Sequence, residues 1–432
     1  MPAAPGGGSW RSCPPQRGPR RALPMAIMLV IRRLPSLLYR HRQAATGVVL
    51  TGVFLVTVIY LLMDWGVVCS NVLVWRHVNK LCDLYERGEV VGNLCPALCI
   101  EQTVHPPQCH TFRGGKEALF SAEKNDGTQL IFKYSAKFSK DAALSEPMFQ
   151  PDSFTRISVP SDAEFKYMLQ ELLTSKLNVS VSEHQVNSLM KAVIQYESTH
   201  HQYGEELLNL WRLAHDHEFV CSALFGDRGV FPRLLGVCGQ FYAVEYLEPF
   251  PADAGWPDRV RLAVMTLELL EQLETDLPEP FHLCDVKMDH FGIAPGAQRI
   301  KFLDLDSVLP RRFVSHITGD GRLCERHSDC DFFDCRSRCG DLSGTCDYPV
   351  TNNNLQIVCE KLFVGWTMSG TVVVPGLLMS HRTSSSLSAL LRICSNPDSE
   401  TNDLARSPAS DHTRNRLYSV LSEMYGSLGM LD

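Results

Sequence analysis

Phe281-His282-Leu283-Cys284-Asp285-Val286-Lys287-Met288-Asp289-His290-Phe291-Gly292-Ile293 decides how this chain is read. An Asp, then a Lys two residues later, then a short apolar run is the pattern of a loop that serves phosphoryl transfer. The carboxylate orients an attacking hydroxyl and the ammonium neutralises charge building on the phosphate. Such a loop needs a second carboxylate on the following strand to hold the metal that bridges the phosphates. Ile300-Lys301-Phe302-Leu303-Asp304-Leu305-Asp306 supplies it, after a turn-forming run at 294–298. Two positions depart from the usual pattern. Five residues after Asp285, where an Asn normally binds a second metal, stands His290. The usual Asp-Phe-Gly reads Asp304-Leu305-Asp306.

Upstream, the same chemistry requires a strand Lys to hold the α- and β-phosphates and a helix Glu to hold that Lys. Lys133 ends the strand pattern Leu130-Ile131-Phe132-Lys133, after a hairpin signal at Asn125-Asp126-Gly127. Glu218 lies in a helical pattern over 205–225, with Glu205 and Glu206 as rivals for the pairing. Tyr242 to Pro249 reads as strand and hinge, and 259–273 as a buried helix leading into the loop. The phosphate loop is reduced to Gly114 and Gly115, without G-x-G-x-x-G. Lys133, Glu218, Asp285, Lys287 and Asp304 stand in the order of a protein-kinase fold. A chain of 432 residues has room for its two lobes.

Of the sixteen cysteines, eleven cluster at 82–109 and at 324–394. Zinc is the alternative, but paired C-x-x-C units and interleaved histidines are missing, so disulfides in an oxidising compartment are expected. Cys284, inside the catalytic-type loop, is expected to stay unpaired. Ala44 to Met63 is uncharged and long enough to span a bilayer, and the arginines before it are unopposed by any acid. The positive-inside rule makes this an N-terminal transmembrane signal anchor with 1–43 cytoplasmic and the rest lumenal. The net charge of −7 excludes a nucleic-acid partner on electrostatic grounds. A Ser-rich stretch at 384–388 reads as a loop.

The arginine-rich tail, the anchor, the clustered cysteines, His-Leu-Cys-Asp-Val-Lys and Asp-Leu-Asp together resemble the divergent protein kinase domain family, first subfamily. The resemblance covers nearly the whole chain. It implies a single-pass protein of the endoplasmic reticulum membrane with a kinase-like lumenal domain. It also makes Arg32-Arg33, or Arg20-Arg21, similar to a di-arginine retrieval signal. The family carries an EF-hand-like insert, whose counterpart here is 172–183 within 140–204. Glu183 matches its last ligand, but Leu172, Thr174 and Lys176 stand where oxygen ligands belong, so calcium is not expected. Asn178-Val179-Ser180 in that loop is an N-glycosylation sequon.

The expected fold is therefore α+β and bilobal, protein-kinase-like, with disulfide-rich flanks and one transmembrane helix. Its parts are a tail (1–43), an anchor (44–63), a cysteine-rich segment (64–110), an N-lobe (111–250) and a C-lobe (251–432). The expected site is Asp285 and Lys287 for transfer, with Lys133, Glu218, Gly114 and Gly115 for nucleotide. Asp304, Asp306 and His290 are the metal candidates, for ATP with Mg²⁺ or Mn²⁺. The acceptor is a secretory-pathway protein or glycan. The alternative is a pseudokinase, because imidazole is a poor ligand for hard Mg²⁺. A disulfide-rich scaffold is the third reading, disfavoured by the ordered Lys–Glu–Asp–Asp set.

Overall fold

The structure, a computed structural model, describes residues 46, 48–59, 70–113, 117–135, 160–194, 200–251, 253–296, 299–368, 371–399 and 404–428. The chain divides into two compact units, Met1–Asp64 and Trp65–Asp432.

In the first unit, residues 48–59 are helical. Among the described residues no helix is long and apolar enough to cross a membrane. That corrects the expected transmembrane anchor at 44–63. The single-pass attachment to the membrane and the membrane-anchored localisation fall with it. Arg32, Arg33 and the other tail arginines lie outside the described residues.

The second unit begins with helix α1 (Asn71–Glu86), followed by β1 (Val104–Arg113), β2 (Glu117–Lys124) and β3 (Gln129–Ser135). Helices α2 (Asp162–Leu177), α3 (Glu183–Val193), α4 (His200–Leu213) and α5 (His217–Phe225) come next, then β4 (Leu234–Cys238) and β5 (Phe241–Glu245). The five strands form one antiparallel sheet in the order β1-β2-β3-β5-β4.

Alternation along the strands sorts the two faces of this sheet. Phe120, Phe132, Phe241 and Ala243 face outward against Val74, Val78, Leu81, Leu94 and Leu98 of the cysteine-rich segment. Tyr242 and Val244 face inward, toward Phe219 and Val220 of α5. Phe132 faces outward, so Lys133 points inward. The cysteine-rich segment is thus a cap on the N-lobe sheet, bonded through Cys95–Cys238 and closed on itself by Cys82–Cys99. Its approach is close: Gly92 has φ +150°, and a Cβ there would run into the Val237 carbonyl.

The helix expected over 205–225 is two helices. The chain turns at 214–216, and Asp216 starts α5 by accepting from the Phe219 amide at 3.0 Å. An N-cap carboxylate restarts the helix on a new axis, and that axis carries Glu218 under the sheet.

Strand β6 (Glu248–Pro249) leads to α6 (Trp256–Thr275), then β7 (Phe281–Leu283), β8 (Phe291–Ile293), β9 (Ile300–Phe302) and β10 (Val308–Pro310). Val260, Ala263, Leu267 and Leu270 recur at helical spacing and are buried, so α6 is the central post of the C-lobe. Strands β6, β8 and β9 form a small sheet, and β7 pairs with β10. After α7 (Arg311–Thr318), Cys324–Cys339 and Cys330–Cys346 knit a segment of little regular structure. It ends at α8 (Asn354–Val358), tied to α9 (Ser385–Ser395) by Cys359–Cys394. Strands β11 (Gly365–Met368) and β12 (Thr371–Pro375) form a hairpin between them. The Ser-rich stretch read as a loop opens α9, because the Ser384 hydroxyl accepts from the Leu387 amide and caps it. Helix α10 (Asp411–Leu428) packs along α6, with Arg414 forked onto Glu274 at 2.8 and 2.9 Å.

Candidate functional site

Lys133 projects from β3 into the space between the lobes and forms an ion pair with Glu218 of α5. Its ammonium also donates to the carbonyl of Leu303, at 3.1 Å, one residue before Asp304. Tyr242 Oη donates to the second Glu218 oxygen at 3.3 Å. Glu218 is buried, which pushes its carboxyl up to about 7 against the opposing pull of Lys133. Helix α5 is held in place at its N-terminus, where His217 Nε2 donates to the Val308 carbonyl at 2.8 Å. Burial lowers the His217 pKa, so the ring is neutral at pH 7 and makes this bond as a neutral donor.

The loop after β7 presents the second cluster. Lys287 Nζ donates to Asp285 Oδ2 at 2.8 Å, and that bond raises the Lys287 ammonium above its ordinary value. His290 sits in a single 3-10 turn, Met288–His290, and is largely buried. Its Nδ1 lies 2.9 Å from the Asp285 carbonyl oxygen. A carbonyl only accepts, so Nδ1 carries the proton and, in the neutral ring, Nε2 keeps its lone pair. Nε2 faces Asp304 Oδ2 at 3.2 Å, as a donor in the charged ring and as an open ligand position in the neutral one. The arrangement is stiffened by the Leu303 amide, which donates to the His290 carbonyl at 2.8 Å.

Asp285, His290 and Asp304 each offer one ligand atom, and these lie within 4.8 Å of one another. Two carboxylates and an imidazole lone pair fit a divalent cation that accepts mixed nitrogen and oxygen ligands. The structure therefore brings Lys133, Glu218, Asp285, Lys287, His290 and Asp304 into two adjoining clusters joined through Leu303–Asp304. Asp306 lies in the following turn and is not one of the three clustered ligands. Gly114 and Gly115 fall outside the described residues. Asn178 is exposed, at the end of α2.

Cys284 is not the open thiol expected of it. It is bonded to Cys335 and fully buried. Among the described residues the free cysteine is Cys221, which burial makes a poor acid. Sequence reasoning also passed over the Leu303 carbonyl, Tyr242, His217 and Asp334. Only Tyr242 carried a signal, since strand alternation puts it on the face of Lys133. Asp334 accepts from the Val286 amide at 2.8 Å across a gap that sequence does not bridge.

Two family models match the chain. One is described as the protein-kinase domain of FAM69 and covers residues 210–397. The other is described as the N-terminal cysteine-rich ER segment of FAM69 and covers residues 37–192. A human relative, divergent protein kinase domain 2A, is 29% identical over 210 residues, which is 45% of this chain and 48% of the relative. The chain thus spans about half the length of that relative. A solved structure of Rv3197 with erythromycin from Mycobacterium tuberculosis aligns over 50% of each chain, at 13% identity and a TM-score of 0.24. A likeness that small carries no argument. With both lobes matched, the chain belongs to the divergent protein-kinase domain family, FAM69-like, and to its cysteine-rich, ER-associated branch.

Proposed function

We propose that this domain binds ATP with a divalent cation between its lobes and transfers the γ-phosphate to a hydroxyl of a secretory-pathway protein or glycan. In this reading residues 111–250 act as N-lobe and 251–432 as C-lobe. The observation that carries it is Lys133, which touches Glu218 and the Leu303 carbonyl across sequence gaps of 85 and 170 residues. A buried ion pair beside a carboxylate cluster is costly to build for stability alone, and it is what nucleotide phosphates require. Lys133, positioned by Glu218, holds the phosphates, Asp285 orients the acceptor hydroxyl, and Lys287 neutralises charge on the moving phosphoryl group. Asp304 and His290 would hold the cation, which supplies charge stabilisation on the phosphate oxygens.

The second reading is a pseudokinase that binds nucleotide or a partner without transfer. His290 favours it, because the position normally offers a hard oxygen to Mg²⁺. One experiment separates the two. The purified domain is assayed for ATP binding by thermal shift and for autophosphorylation with labelled ATP, in Mg²⁺ and in Mn²⁺, beside Asp304→Ala. Binding with transfer lost in Asp304→Ala supports the kinase. Binding without transfer in either metal supports the pseudokinase, and no binding defeats the kinase and leaves the pseudokinase only as a partner-binding scaffold.

A further inference from the structure

In the general kinase scheme the catalytic Asp follows an Arg, and a phosphate on the segment after the metal-binding Asp pairs with arginine to order that segment. In this chain the residue before Asp285 is Cys284, so that arginine is absent from its usual place. Cys284 is instead bonded to Cys335, within the segment that runs from Asp304 to α8, and both cysteines are fully buried.

The neighbours of this bond clamp the catalytic loop from both sides of Asp285. The Asp334 amide donates to the Cys284 carbonyl at 2.7 Å. The Val286 amide donates to Asp334 Oδ2 at 2.8 Å. The other Asp334 oxygen faces Lys361 Nζ at 3.1 Å. Residues 284 and 286 are thus both held by residues 334–335.

Several groups beside this bond that would otherwise respond to a phosphate are already committed. Arg336, beside Cys335 and buried, forks onto Glu360 at 2.7 and 2.8 Å. Arg406, also buried, is paired with Asp331. The Ser337 hydroxyl is spent on the Tyr348 and Pro349 carbonyls, and the Thr351 hydroxyl on the Arg336 carbonyl. Ser343 and Thr345 both donate to Asp347 at 2.7 Å.

We propose that the Cys284–Cys335 bond replaces the phosphate–arginine link of regulated kinases. Cys284 and Cys335 are positioning residues that hold Asp285 and the 331–337 stretch in place without phosphorylation. The catalytic consequence rests on the kinase reading above; the ordering of the loop does not.

The test is amide hydrogen exchange at Val286 and Asp334 in the full chain. In wild type both amides exchange slowly, and phosphatase treatment changes them less than twofold. In Cys284→Ala/Cys335→Val, chosen to keep the buried volume apolar, both speed up at least tenfold. The ATP affinity read in the same samples stays within twofold, because Lys133 and Glu218 are untouched. Where transfer is measurable, kcat falls while the KM for ATP holds. Faster exchange on phosphatase treatment, or unchanged exchange in the variant, overturns the proposal. If the variant does not fold, folded wild type reduced by a phosphine takes its place, with loss of the 284–335 bond followed by mass spectrometry. Unchanged exchange once that bond is broken overturns the proposal equally. Absence of ATP binding in wild type defeats the kinase reading alone and leaves the exchange result standing.

Discussion

His290 Nε2 stands 3.2 Å from Asp304 Oδ2, while the Nδ1 of the same ring is committed to the Asp285 carbonyl. Two acceptors that close face each other only if a proton or a cation lies between them. The ring is oriented by the backbone of the residue whose side chain completes the cluster, so the ligand set is pre-set rather than recruited. A nitrogen in the set favours Mn²⁺ over Mg²⁺, which demands oxygen.

Mn²⁺ is therefore expected to bind more tightly than Mg²⁺, and His290→Asn should narrow the gap by restoring an oxygen ligand. Titration calorimetry of each metal, with and without ATP, reads both effects. Weaker Mg²⁺–ATP binding in the Asn variant would remove His290 as the cause of the preference.

Glu218 gives the protein a stability that depends on pH. Its folded pKa is raised from 4.5 to about 7, mainly by burial. Between those values the folded state holds a proton that the unfolded chain has lost. Stability from this group is full below about pH 4.5 and is lost as pH rises through 7. The swing is at most about 3 kcal/mol. Glu218→Gln should flatten it, measured as denaturant midpoints between pH 5 and 8. Lys133→Ala should do the reverse, because losing the cation raises the Glu218 pKa further and carries the pH-dependent loss of stability to higher pH. Equal pH slopes in wild type and Glu218→Gln would show that the burial of this carboxyl does not govern the slope.

The order of the chemistry was legible because it depends on residue type and sequence spacing: Asp285-x-Lys287, then Asp304, with Lys133 at a strand end. The partner of Lys133 was legible as a helix Glu, and strand alternation puts the Lys on the correct face. The contacts that fix the site were not. Cys335 lies 51 residues from Cys284, and no spacing rule selects it from the cysteines of the 324–359 segment. The break at 214–216 was hidden because apolar periodicity runs on through it, and only the capping by Asp216 marks the restart. The apolar run at 44–63 was read by composition and length alone, whereas no described helix is long and apolar enough to cross a membrane. Ser384 to Ser388 misled for a related reason, since serines mark loops and also cap helices.

The Cys95–Cys238 bond joins the cap to the last strand of the N-lobe sheet across 143 residues. Closing so long a loop restricts the unfolded chain, a gain of about 2–4 kcal/mol. Cys95→Ser/Cys238→Ser should lower stability by that amount and loosen α1 first, since α1 then keeps only its apolar contacts, the hydrogen bond from the Cys109 amide to Asn71 at 2.9 Å and the Cys82–Cys99 link within the cap. Limited proteolysis would find new cuts within 70–103. An unchanged digestion pattern would mean that apolar packing against Phe120, Phe132 and Phe241 holds the cap by itself.

The α2–α3 hairpin yields the last expectation. Leu172, Thr174 and Lys176 lie inside α2, and Glu183 is the first residue of α3, so the connection is only 178–182. Ser182 closes it with a capping box to Gln185. A calcium loop needs twelve residues with oxygens at its early positions. Calcium should therefore leave the melting temperature unchanged. Asn178, by contrast, is exposed and carries φ +53°, a left-handed turn that Asn tolerates well, with Ser180 exposed beside it. The sequon is open on both sides, and the protein made in secretory-competent cells should carry a glycan at Asn178. Ser180→Ala is the better test than Asn178→Gln, because it removes the sequon and keeps the residue that the turn prefers. Loss of a glycosidase-sensitive mobility shift in Ser180→Ala is the expected outcome. A wild-type protein that never shows that shift would exclude the modification.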